Sequence, residues 1–200
     1  MSHSRVPAVR SRRSLLEIVA GGLLCFLATL VSPEAAAKTR LEVVDASFEL
    51  RDDVYELDAN LDLHLPKEAR AAIDAGLTLR LDYEVEILRS RRYWLDAGVA
   101  ALVQSYELSY HALSQRYLLR NLNTGVQQDF ASFETATDRL TTLRHLPIID
   151  ATLLEEESTY EVRVRVNADL STVPDALKWL LFWTDQWSGE SEWFTWTIQP

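Results

Sequence analysis

Arg89, Arg91, Arg92, Tyr93 and Trp94 set three guanidinium groups beside two aromatic rings. An arginine fork matches carboxylate or phosphate oxygens, and the rings offer a flat stacking surface. The cluster is a candidate site for an acidic peptide, a glycan or a lipid head group. On a strand, Arg89 and Arg91 project to one side and Arg92 to the other, so the set need not form one patch. The competing reading pairs these arginines with outward Asp and Glu of neighbouring strands.

A second candidate is aromatic. Trp179, Trp183 and Trp187 fall four residues apart, which lines one stripe of a helix if the helix reaches that far. Such a stripe can be a docking face for a partner or for the membrane interface, where Trp is favoured. Lys178 is the only basic residue from Asp175 onward, whereas a membrane-surface helix usually carries a basic face. The plainer reading packs the stripe on a sheet as core.

Catalytic and metal chemistry find little support. His64, His111 and His145 are scattered, without HxH or HExxH spacing. Asp52-Asp53 and Glu155-Glu156-Glu157 read as solvated turns rather than calcium loops. There is no GxSxG elbow and no glycine-rich phosphate loop. The reading is that of a protein without catalytic, metal or cofactor residues. Paired carboxylates acting as a glycosidase dyad are the enzymatic alternative.

The elements that must carry these residues begin after an export signal. Arg5, Arg10, Arg12 and Arg13 precede a 14-residue apolar run from Ile18 to Val31, and small residues follow up to Ala35-Ala36-Ala37. That order is expected of a secretory signal peptide over 1–37, cleaved after Ala37. The run is short of the roughly 20 residues that span a bilayer as a helix. Membrane contact is therefore expected only through an uncleaved N-terminal segment. Arg12-Arg13 also fits a twin-arginine signal, but a plain positive n-region explains it. Leu24 before Cys25 does not suit lipoprotein processing.

Cys25 is the only cysteine, so residues 38–200 hold no thiol, and a core must stabilise them without disulfides. The chain has 20 Lys and Arg against 30 Asp and Glu; without the four arginines and two glutamates of residues 1–37, 16 face 28, a formal charge of −12. Such a surface repels phosphate backbones and anionic lipid, which argues against nucleic acid as a partner.

Alternation of period two dominates the remainder. Val44, Ala46, Phe48 and Leu50 share one face of a first strand. From Tyr55 to Leu65 every odd residue is apolar. Leu77 to Ile87 and Tyr160 to Ala168 repeat the pattern, with Arg80, Asp82, Glu84 and Glu86, and Glu161, Arg163 and Arg165, pointing outward. Val103 to Ala112, Gln115 to Asn121, Val126 to Ala131 and Glu192 to Ile198 are further strands. Short helices are expected over Lys67–Ala75 between Pro66 and Gly76, after Ser132 with Phe133, Ala136, Leu140 and Leu143 on one face, and from Pro174 to about Thr184. The expected fold is mainly β with short helices: a single-domain antiparallel β-sandwich or strongly curved sheet.

Four blocks carry a family resemblance: Arg89-Ser90-Arg91-Arg92-Tyr93-Trp94-Leu95-Asp96, Leu108 to Tyr117, Phe130 to Ala136 and Ser191 to Trp196. In this order they resemble DUF4390, a family of exported bacterial proteins. Phe133 stands where the family pattern tends to have leucine. The resemblance covers residues 38–200 and implies an exported protein, and it implies no activity, cofactor or catalytic residue. It also implies a membrane sensor kinase encoded nearby, a candidate partner. The expected function is a non-catalytic binding or interaction module of the cell envelope, periplasmic or otherwise exported, with an envelope protein or acidic ligand as partner. The alternatives are an envelope-polymer hydrolase and a lipid-handling protein with an apolar cavity.

Overall fold

One of the two longest alternating runs, Leu77 to Ile87, becomes a central strand. In the computed structural model, which describes residues 40–91, 96–171 and 188–200, Leu79, Leu81, Tyr83, Val85 and Ile87 are all buried on one face of Thr78–Arg89. Such a strand needs an apolar layer beneath it and neighbours on both sides. The element order supplies both: β1 (Arg40–Arg51), β2 (Val54–His64), α1 (Lys67–Asp74), β3 (Thr78–Arg89), β4 (Ala97–His111), β5 (Arg116–Asn121), β6 (Gln127–Phe130), α2 (Phe133–Leu140), β7 (Thr142–Asp150), a 3-10 turn (Ala151–Leu153), β8 (Tyr160–Ser171), β9 (Ser188–Glu190) and β10 (Phe194–Ile198).

The strands form two antiparallel sheets. The smaller has the order β1-β2-β7. The larger runs β10-β8-β3-β4-β5-β6, and β9 also pairs with β8. Their inner faces share one core, in which Leu41, Val43, Leu57, Ala59 and Leu143 of the smaller sheet cluster with Leu79 to Val85, Val164 to Leu170, Leu108 and Leu119 of the larger. A second cluster of Ile87, Ile149, Leu154, Tyr160 and Val162 closes one end. The architecture is the sandwich; neither sheet closes on itself.

Local chemistry fixes the connections. Leu77 N–H donates to Ala72 O and Gly76 N–H to Ile73 O at the end of α1, a paired closure that needs the left-handed Gly76, φ +104°. Ser132 caps α2 by accepting from Thr135 N–H at 3.2 Å. α2 stops at Leu140, so Leu143 belongs to β7 rather than to the helix face. There it sits opposite Ala59.

Two departures from simple alternation matter. A register shift between Val43 and Asp45 inserts a bulge, so Leu41 and Val43 point inward before it and Ala46 and Phe48 after it. Val44 (60 % exposed) therefore faces outward, against the expectation that it shares the face of Phe48, whereas Leu50 keeps the phase of Phe48 and is 53 % exposed near the end of the strand, opposite Tyr55. β7 was not legible as a strand. It holds Pro147 and pairs with β2 across two register shifts, which suits an edge strand.

Candidate functional site

The β3–β4 hairpin carries the arginine cluster at its far end. Ile87 lies opposite Ala100 and Leu88 opposite Gly98, so Val99 is an extra residue that bends this half of β4. β3 ends at Arg89, whose guanidinium pairs with Glu155, just beyond the 3-10 turn. The Arg89 bond is the first cause, and Ser158 the second, of a Glu155 carboxyl held below its ordinary range. Arg91 lies past the strand and is exposed. Its backbone N–H donates to Asp96 Oδ1 at 3.1 Å, and among the described residues no carboxylate pairs with its guanidinium. The structure thus separates two arginines that the sequence grouped: Arg89 is engaged by a carboxylate and Arg91 is presented. Arg92, Tyr93 and Trp94 lie outside the described residues, as do Trp179, Trp183, Trp187 and Ala37.

The outward arginines of β8 are engaged. Arg163 meets Glu86 at 2.5 Å, and Arg165 meets Glu84 at 2.7 Å and also Glu190. Both guanidinium carbons stand 4.6 Å from the ring centre of Trp193. Glu84, which also accepts from Asn167 Nδ2 at 2.7 Å, is the first cause of an Arg165 pKa raised above its usual value. The ladder anchors the edge segment next to Ser191, the buried residue that interrupts β9 and β10. There Val166 N–H donates to Ser191 Oγ at 2.9 Å, and Ser191 N–H donates back to Val166 O at 2.9 Å. The alternation had shown Arg163 and Arg165 pointing outward; nothing in one sequence showed Trp193 between them.

The histidines serve local geometry. His145 has φ +53° in the β2–β7 irregularity; its N–H donates to Asp58 Oδ1 at 2.7 Å, and its Nδ1 lies 3.3 Å from Glu56 and 3.7 Å from Asp58. His111 Nδ1 meets Ser114 Oγ at 2.8 Å across the β4–β5 turn, and His64 Nδ1 meets Asp62 at 2.8 Å. Among the described residues, no group of three His, Cys, Asp or Glu is placed to hold a metal ion.

Two open hollows flank these features. One, of about 320 Å³, runs between Arg40–Val43 and Glu192–Phe194. The other, of about 390 Å³, lies over Glu86, Leu88 and Gly98–Ala101 on the outer face of the hairpin. The hairpin therefore joins an exposed cation at its tip to a concave, weakly polar surface along its shaft.

An antiparallel β-sandwich bearing a long hairpin of this kind is the class that fold and surface define. Residues 38–197 match DUF4390, described as a domain of unknown function, and the chain belongs to that family. No curated protein and no solved structure matches it. No helix among the described residues is long and apolar enough to cross a membrane.

Proposed function

We propose that the chain is an exported, non-catalytic interaction module of the bacterial cell envelope. In this reading the end of the β3–β4 hairpin docks an acidic segment of an envelope protein, and a membrane sensor kinase is one candidate. The observation that carries the reading is the contrast between Arg89, held by Glu155, and Arg91, exposed with only its backbone N–H engaged among the described residues. A guanidinium that no carboxylate of the described residues engages can form a bidentate bond with one from outside. Arg92, Tyr93 and Trp94 follow in sequence and add charge and stacking surface.

Export is supported by the arginine, apolar and small-residue order of residues 1–37. The family match begins at residue 38, where the processed chain would start.

The test is crosslinking in the native envelope, with the protein recovered and its partners identified. Arg91→Glu should reduce recovery of the specific partner about tenfold or more, a loss of the size expected for a charge-assisted contact. Arg120→Glu makes the same charge change on exposed β5 and should leave recovery intact. Both variants should melt close to wild type, as surface substitutions do. Equal recovery with Arg91→Glu and wild type would remove the basis of the proposal.

A further inference from the structure

An antiparallel strand needs a partner on each side, or some device that guards its open edge. β4 is 15 residues long, and β3 accompanies it over Ala97–Leu108. On the other side β5 pairs only with Tyr106–His111. The turn after β5 extends cover by two residues. Leu122 N–H donates to Ser105 O at 2.9 Å, Ser105 N–H to Asn123 Oδ1 at 2.8 Å, and Asn123 Nδ2 to Val103 O at 2.8 Å. These bonds show which way the odd residues face. By the alternation of an antiparallel ladder, Ala101, two residues on, turns its N–H and C=O to the same side. Among the described residues, no group bonds them there.

The remaining edges are guarded. β1 carries Glu42, Asp45 and Glu49, β6 is four residues long and carries Asp129, β7 holds Pro147, and the β9–β10 edge breaks at Ser191. β4 from Ala97 to Leu102 has no charge and no proline. Its side chains are small or apolar, with Val99, Ala101 and nearby Val103 exposed. The Val99 bulge twists this segment but gives it neither charge nor bulk.

From these features we infer that the open half of β4 is a self-association edge, on which a second copy of this chain adds its own β4 antiparallel about a two-fold axis. The occupant must be extended, because it has to meet backbone N–H and C=O groups. Because the chain carries a net charge of −10 and repels its own copy at long range, the contact segment must also bring no like charges together. The same segment of a second copy meets both demands. Between Asp96 and Glu107 there is no charged residue, so antiparallel pairing of Ala97–Leu102 with itself sets no like charges opposite each other. The two larger sheets would then run on as one.

The inference uses the same hairpin as the proposed partner site but does not depend on Arg91. Sedimentation velocity on protein expressed from the full chain, over a concentration series, should show a reversible monomer–dimer equilibrium. The Ala101 amide should exchange more slowly with deuterium as concentration rises. Ala101→Pro removes the donor, and it does so twice per two-fold contact, so self-association should weaken about tenfold or more. Ala101→Lys keeps the backbone donor but puts a flexible charged side chain on the edge of each copy, opposite Gly98 of the other, and should weaken self-association even if the proline variant fails to fold. Arg91→Glu should leave the equilibrium unchanged, which separates this test from that of the partner site. A monomer at every concentration, a dimer untouched by a folded Ala101 variant, or an Ala101 amide already protected in the monomer would each overturn the inference.

Discussion

Tyr83→Phe tests how the larger sheet is locked to the helix above it. Tyr83 is fully buried at the middle of β3, and its hydroxyl donates to Leu140 O at 2.8 Å. Leu140 ends α2, so its carbonyl belongs to the last turn, where intrahelical donors run out. Phenylalanine keeps the ring, and with it the edge-on contact to Tyr106 at 6.1 Å between centroids. Only the O–H is lost, and a buried acceptor is left without its donor. The expected cost is about 1–2 kcal/mol, which for a domain of this size lowers the melting temperature by about 3–6 °C. Urea unfolding followed by circular dichroism should give a lower midpoint at an unchanged slope. The alkaline limb supplies a second reading. Burial pushes the Tyr83 phenol far above its ordinary value of 10. A raised pKa contributes stability that is complete below the unfolded value and drains away as pH rises beyond it. The gap between wild type and Tyr83→Phe should therefore narrow above about pH 10. An unchanged midpoint at pH 7 would show that the bond to Leu140 does not form in solution, and a gap constant up to pH 11 would show that the phenol is not shielded from water.

Two further outcomes follow from other buried polar contacts. Ser191→Ala should cost about 1–2 kcal/mol, because Val166 N–H loses its acceptor at a break in the edge strand, and faster exchange of the Val166 amide is the local readout. Tyr117 donates to Asp74 Oδ1 at 2.5 Å, and its phenol is pushed up to about 12, first by burial and then by Asp74. Because the folded pKa is the higher one, any stability that Tyr117→Phe forfeits should be visible at pH 8 and should fade between pH 10 and 12, as comparison of denaturant midpoints would reveal.

The sequence showed β3 and β8 plainly because both lie inside the larger sheet and bury every second residue without interruption. It misplaced Val44 because a one-residue bulge reverses the phase of β1, and period alone does not mark where the phase turns over. It missed β7 for the same reason doubled: two register shifts and Pro147 remove any run of alternation long enough to read. Ser132 and Gly76 were legible because capping and left-handed turns depend on single residues. The candidate site was half legible. Residue type flagged the arginines, but whether a guanidinium is engaged depends on a carboxylate 66 residues away for Arg89, a pairing without local signature.

The open edge left no positive mark in the sequence. Ala97, Gly98, Ala100 and Ala101 are small on both faces, so the first half of β4 shows no period. That lack of pattern is itself physical. β3 and β8 must present one face to the core along their whole length, whereas this half of β4 outruns β5 and has only Ala100 packed against the smaller cluster at that end. A segment with little of its own to bury is one whose composition another chain can set. The proposed surfaces of the hairpin thus differ in chemistry: a guanidinium at its tip, and along its side a backbone that is unpaired among the described residues. Arg91 and Ala101 can be changed independently. If the proposed partner is lost with Arg91→Glu while self-association persists, and self-association is lost with Ala101→Pro while partner recovery persists, the two surfaces act separately.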